Sequence, residues 1–202
     1  MPSHLKIIDN FLPTVEFLKL QEIVMSTQFP WFYIDAVSLP PGGTKIKDSL
    51  AIETDGFNHV IHDREWNVTS FAHEYFDVFF DQLKNQLGFT KENIIRSRAS
   101  MKTPKVGFTQ NNYNLPHVDY YYPHHSLIYY MNDSDGDTRV FDQWFTPIPG
   151  QVGIGYDRFT TEARISPKAN RLVWIDGLQY HTASNPINSS RRVIININLD
   201  PI

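Results

Sequence analysis

The run Arg192-Val193-Ile194-Ile195-Asn196-Ile197-Asn198-Leu199 is dense in β-branched residues and reads as a strand. Its alternation places Arg192, Ile194, Asn196 and Asn198 on one face and Val193, Ile195 and Ile197 on the other. Working back from it, the same texture recurs at Ser126–Met131, Thr138–Phe141, Gln151–Tyr156 and Arg171–Ile175. Turn signals divide these runs: Asp133-Ser134-Asp135-Gly136-Asp137, Pro147-Ile148-Pro149-Gly150, Pro167-Lys168-Ala169-Asn170 and Ser184-Asn185-Pro186. Short strands joined in this way predict an antiparallel sandwich or barrel.

The first third of the chain differs. Thr14 is placed to cap a helix whose apolar face carries Phe17, Leu20, Ile23 and Val24, with Phe29-Pro30-Trp31 ending it. A second helix is predicted over about Thr69 to Leu87, with Ala72, Tyr75, Phe79 and Leu83 at helical spacing and Gly88 as the stop. Helices first and strands afterwards describe a mainly β jelly-roll with flanking N-terminal helices. We expect one domain over residues 1–202, with helical support over about 1–93 and the jelly-roll core over about 94–202.

Composition narrows the chemistry. The 202 residues contain no cysteine, so disulfides, zinc ribbons, thiol nucleophiles and iron–sulfur clusters are excluded, and any metal must take nitrogen and oxygen ligands. A net charge of −4 and the absence of a basic stripe argue against a nucleic-acid partner. There is no apolar run of signal-peptide or membrane-spanning length, which leads us to expect a soluble, cytoplasmic protein.

Two segments carry chemistry. In Pro116-His117-Val118-Asp119 an extended backbone sends His117 and Asp119 to one side, where both can reach one ion. Gln179-Tyr180-His181 supplies a third candidate ligand, His181, 64 residues after His117. Two imidazoles and a carboxylate on one face of an octahedron leave open positions, the arrangement suited to non-haem Fe(II). Other signals are weaker. His59, His62 and Asp63 lack further ligands for a second metal. Asp133–Asp137 has Trp144 where a calcium loop needs a glutamate and reads as a hairpin turn. Tyr120-Tyr121-Tyr122-Pro123 with His124-His125 could form a rim, and Trp174 could line a wall or fill a core.

The order of these parts resembles the Fe(II)/2-oxoglutarate-dependent dioxygenases, most closely their prolyl-hydroxylase branch. The resemblance is carried by His117-Val118-Asp119, Ile128-Tyr129-Tyr130-Met131-Asn132, Arg171-Leu172-Val173-Trp174-Ile175 leading to His181, and Ser190-Arg191-Arg192-Val193-Ile194, over about Ile94 to Leu199. The opening Ile8-Asp9-Asn10-Phe11-Leu12-Pro13 is also similar to the start of many members.

The resemblance implies a double-stranded β-helix of the cupin-like kind, with Fe(II) held by His117, Asp119 and His181. It also implies 2-oxoglutarate as co-substrate, its distal carboxylate bound by a buried arginine and assisted by the Tyr130 phenol. Arg192 is preferred over Arg191 because it shares its face with Ile194 and the two asparagines rather than with the all-aliphatic side. The implied reaction couples decarboxylation of 2-oxoglutarate to succinate with dioxygen-dependent hydroxylation of a peptidyl prolyl residue or a small molecule. Two alternatives stay open: a non-catalytic jelly-roll binding protein, and an oxygenase demethylating nucleic acid.

Overall fold

Helix α1 (Thr14–Met25) turns Phe17, Leu20 and Val24 inward, and α2 (Asp77–Leu87) does the same with Phe79, Phe80 and Leu83. Both lie on one face of a large antiparallel sheet. The computed structural model describes residues 5–37, 48–146 and 158–202. The predicted strand Gln151–Tyr156 and the turn at Pro147–Gly150 lie outside the described residues.

The large sheet contains β1 (Leu5–Ile8), β2 (Phe32–Ile34), β3 (Gly56–Asp63), β4 (Val68–Thr69), β5 (Ile94–Lys102), β6 (His125–Tyr130), β9 (Arg171–Asp176) and β11 (Arg192–Leu199). Its order is β1-β9-β6-β11-β5-β3-β2, with β4 paired to β3. A smaller sheet, β10-β7-β8, is formed by β10 (Gln179–Ala183), β7 (Thr138–Trp144) and β8 (Thr161–Ile165). Every pairing between these strands is antiparallel, and the result is a mainly β jelly-roll braced by helices.

Two cores follow from the two faces of the large sheet. Val193, Ile195, Ile197 and Leu199 of β11, with Leu127 and Tyr129 of β6, pack against both helices. Ile194 shares the other face with Ile128, Tyr130, Val173 and Ile175, which meet Val140 and Ile165 of the small sheet. Burial at roughly 25 cal/mol per Å² of apolar surface makes these layers the main source of stability.

The structure departs from the sequence expectations in several places. The first 93 residues supply four strands as well as helices, and three of them, β1, β2 and β3, belong to the pairing order of the large sheet, β3 within it and the other two at its ends. In β3 the buried residues include His59 and Asp63, so polarity hides the strand's alternation. Thr14 does not cap α1: Pro13 stands at the cap, and Asn170 fixes the approach by hydrogen bonding both the N–H and the carbonyl of Leu12.

The second helix begins as a 3₁₀ segment, Phe71–Phe76, capped by the Ser70 hydroxyl, and Gly88 at φ +81° ends α2. That change of pitch turns Tyr75 outward and Phe76 inward. The Asp133–Asp137 segment is not a hairpin turn, because it carries the chain from β6 in the large sheet to β7 in the small one. Among the described residues no helix is long and apolar enough to cross a membrane.

Candidate metal centre and pocket

A single antiparallel bridge assembles the centre. His117 and His181 exchange two backbone hydrogen bonds, each 3.0 Å, so their side chains emerge on the same side with ring centroids 5.1 Å apart. Two residues on, Asp119 projects to that side as well, while Val118 packs with Tyr113, Phe141, Phe145 and Tyr180. The candidate ligand atoms of His117, Asp119 and His181 all lie within 4.8 Å of one another.

Hydrogen bonds preset each ligand. The Nδ1 atoms of His117 and His181 meet the carbonyls of Leu115 and Gln179 at 3.0 and 2.9 Å. With the proton assigned to Nδ1, each Nε2 presents a lone pair, the state a metal requires. Asp119 Oδ2 accepts from Ser126 Oγ at 2.9 Å and from Asn198 Nδ2 at 2.8 Å. Arg96 approaches Asp119 Oδ1 at 3.3 Å and Arg98 at 3.9 Å.

The titration behaviour follows from this packing. Burial, reinforced by the neighbouring His181, holds the His117 imidazole down to about 4, so it is neutral near pH 7. Burial opposes ionisation of Asp119, but the adjacent His181 and the Arg96 guanidinium outweigh that and hold the carboxyl well below the usual range. Burial likewise works against the His181 cation, yet the Asp119 carboxylate 3.6 Å away raises its pKa overall. A carboxylate and two imidazoles with outward Nε2 atoms fit a divalent first-row metal.

The centre opens into a pocket between the sheets, lined by His117, Asp119, Ile128, Thr138, His181, Arg192, Ile194 and Asn196, with Arg98, Ser100 and Lys102 of β5 and Asn58 of β3 continuing the large-sheet wall beside β11. Arg192 is 2% exposed. Its Nε donates to the Gly136 carbonyl at 2.7 Å and its Nη2 to Thr138 Oγ1 at 2.8 Å, which fixes the guanidinium at the pocket wall. Gly136 permits this approach: a Cβ there would stand 2.7 Å from the Ser184 carbonyl and 3.1 Å from Arg192 Cδ. Arg191 precedes β11 and is only partly buried, and its carbonyl accepts from Asn132.

Tyr130 is fully buried, and its hydroxyl donates to Thr138 Oγ1 at 2.6 Å, so Thr138 lines the pocket and Tyr130 stands behind it. Tyr129 faces the helices and bonds Asn170.

No protein-family model matches the sequence, and no curated protein matches it significantly. Solved structures do match. A non-haem alpha-ketoglutarate-dependent epimerase from nogalamycin biosynthesis superposes with a TM-score of 0.60 at 10% identity, covering 98% of this chain and 78% of its own. An oxidoreductase of the 2OG-Fe(II) oxygenase family from Burkholderia pseudomallei gives 0.60 at 10%, covering 98% and 86%. A Pseudomonas putida prolyl-4-hydroxylase gives 0.55 at 13%, covering 98% and 93%. The chain shares the fold of these three structures. At such identities the likeness speaks for architecture, and the chemistry must be argued from the residues.

Other candidates fall into structural places. His59 is clamped between the Pro30 carbonyl and Ser70 Oγ. Trp174 packs on Phe89 and donates to His125, away from the pocket. His124 is buried with its ring against Gly177, and Tyr121 stacks on Phe145. Thr138, Arg98, Lys102, Asn58 and Asn196 do not stand out as site residues in the sequence. For β5 a signal existed: Arg96, Arg98, Ser100 and Lys102 alternate strictly in Ile94–Lys102 and so share one face.

Proposed function

We propose that this protein is an Fe(II)- and 2-oxoglutarate-dependent oxygenase, a hydroxylase acting on a peptidyl prolyl residue or a small molecule. The observation that carries the reading is the convergence of His117, Asp119 and His181 on one wall of a pocket that also holds the buried Arg192. Nε2 of His117, Nε2 of His181 and the Asp119 carboxylate would hold the iron. Arg192 would receive the distal carboxylate of 2-oxoglutarate with its remaining donors, backed by Thr138 and, behind it, Tyr130. When bound, iron and co-substrate supply dioxygen activation coupled to oxidative decarboxylation of 2-oxoglutarate to succinate.

The chain's own part is to position and to exclude water. The Leu115 and Gln179 carbonyls lock the imidazole orientations, and Ser126 and Asn198 hold the carboxylate. Ile128 and Ile194 present an apolar wall next to these groups, which lowers the local dielectric and strengthens every charge contact. The chemistry requires no side chain as general base. The test is succinate formation from 2-oxoglutarate with added Fe(II), comparing the protein with His181→Ala. Turnover by the unmodified protein and none by the variant is the expected result; equal turnover removes the metal assignment.

A further inference from the structure

The β5 side of the pocket carries charge that the proposed oxygenase reading does not use. Among the described lining residues, three cations, Arg98, Lys102 and Arg192, face one carboxylate, Asp119. A divalent metal and dianionic 2-oxoglutarate cancel each other, so loading the centre leaves this positive excess in place. Register explains the cluster: on adjoining strands Lys102 sits opposite Arg192, and Arg98 opposite Asn196, all on the pocket face.

Arg98 and Lys102 have few partners of their own. Lys102 is 7% exposed and donates to Asn114 Oδ1 at 3.1 Å. The carboxylates that act on it electrostatically are Glu53, which accepts from the Val37 and Thr54 N–H groups, and Asp55, which is paired to Lys105 at 2.7 Å. Arg98 reaches Asp119 only at 3.9 Å, and its Nε is buried without a hydrogen-bond partner. Beside it, Asn196 is 6% exposed and its Oδ1 also lacks a partner. A buried cation is costly unless an anion lies beside it. A buried donor and a buried acceptor without partners, both on residues that line a cavity, describe a ligand site rather than a packed core.

We propose that Arg98 and Lys102 form a second anion subsite, and that the primary substrate is a small molecule bearing a carboxylate with a neighbouring N–H donor, as in a free α-amino acid. The carboxylate lies between Arg98 and Lys102, and the donor meets Asn196 Oδ1. The inference rests on the oxygenase reading in one respect, the assignment of Arg192 to the co-substrate.

The test uses thermal unfolding of protein loaded with Mn(II) and N-oxalylglycine, an unreactive 2-oxoglutarate analogue, so that Arg192 is already occupied. The common L-amino acids are compared with their C-terminal amides at equal concentration. At least one acid is expected to raise the midpoint and to bind at least tenfold tighter than its amide, about 1.4 kcal/mol. That preference should disappear in Arg98→Gln and Lys102→Gln and persist in Arg98→Lys, which keeps the charge.

Equal shifts by acids and amides, no shift by any acid, or a preference that survives both glutamine variants overturns the proposal. Loss of N-oxalylglycine binding in Lys102→Gln with the acid preference intact overturns it too, by assigning Lys102 to the co-substrate. If the unmodified protein takes up neither Mn(II) nor N-oxalylglycine, the oxygenase reading fails separately. Arg192→Gln, which retains only the Arg98–Lys102 pair, then carries the same comparison: tighter binding of an acid than of its amide supports the subsite, and equal binding overturns it.

Discussion

The two faces of β11 share one backbone and do different work. Val193, Ile195, Ile197 and Leu199 are buried against α1 and α2 and hold the layers together. Arg192 and Asn196 line the pocket, and Asn198 braces Asp119. The contrast shows that in a jelly-roll the stabilising residues and the site residues can be immediate neighbours in sequence and yet never touch the same partners. A change at one position should therefore act on stability or on the site, and rarely on both.

The largest effect is expected at the pocket side of the bridge. His181→Ala removes one of the three converging ligands and should weaken Mn(II) uptake by more than about 100-fold, measurable by calorimetric titration. The backbone bridge to His117 does not involve the side chain, so folding should survive. Next comes the helix-facing side: Ile197→Ala should cost about 2–5 kcal/mol in urea unfolding and leave Mn(II) affinity unchanged.

Its neighbour gives the sharper comparison. Asn198→Ala removes a hydrogen bond to the Asp119 carboxylate and should lower metal affinity by about 10–100-fold, with a smaller loss of stability than Ile197→Ala. Equal behaviour of these two adjacent variants in both assays would break the division of faces.

The smallest effect belongs to the crossing between the sheets. Burial opposes ionisation of Asp135, but the N–H groups of Ile187, Asn188 and Ser189 donate to it and hold its carboxyl well below 3.8. A depressed carboxylate contributes stability that is present above the unfolded-state pKa and lost as pH falls through the folded one. Asp135→Asn should therefore cost about 1 kcal/mol near neutral pH, the figure being limited by partial solvation, and the gap should close as urea midpoints are followed below about pH 4.

Legibility in the sequence tracked how cleanly polarity alternates. β11 could be read because one of its faces is aliphatic throughout and β6 because Leu127–Tyr130 is an unbroken apolar run, and α2 stopped at Gly88 as its left-handed φ requires. β3 could not, since it buries a histidine and an aspartate among its apolar residues. β5 displayed its alternating Arg96, Arg98, Ser100 and Lys102, but charged residues two apart usually mark a solvated edge, and only its place between β11 and β3 turns that face into a pocket wall. The Tyr130 phenol donates to Thr138 of the opposite sheet, and no local pattern encodes a contact between sheets.

By itself the sequence determined which residue types were available and which of them share a side of an extended segment: the absence of thiols, the pairing of His117 with Asp119, and the common face of Arg192, Asn196 and Asn198. Those are local properties, fixed by the two-residue period of an extended chain. Tertiary structure alone decided that His181 meets His117 across a bridge, and that Arg98 and Lys102 look inward beside Arg192. Convergence of side chains far apart in sequence depends on which strands pair and in what register, and that choice is made by burial of the whole sheet between its helices and its smaller partner.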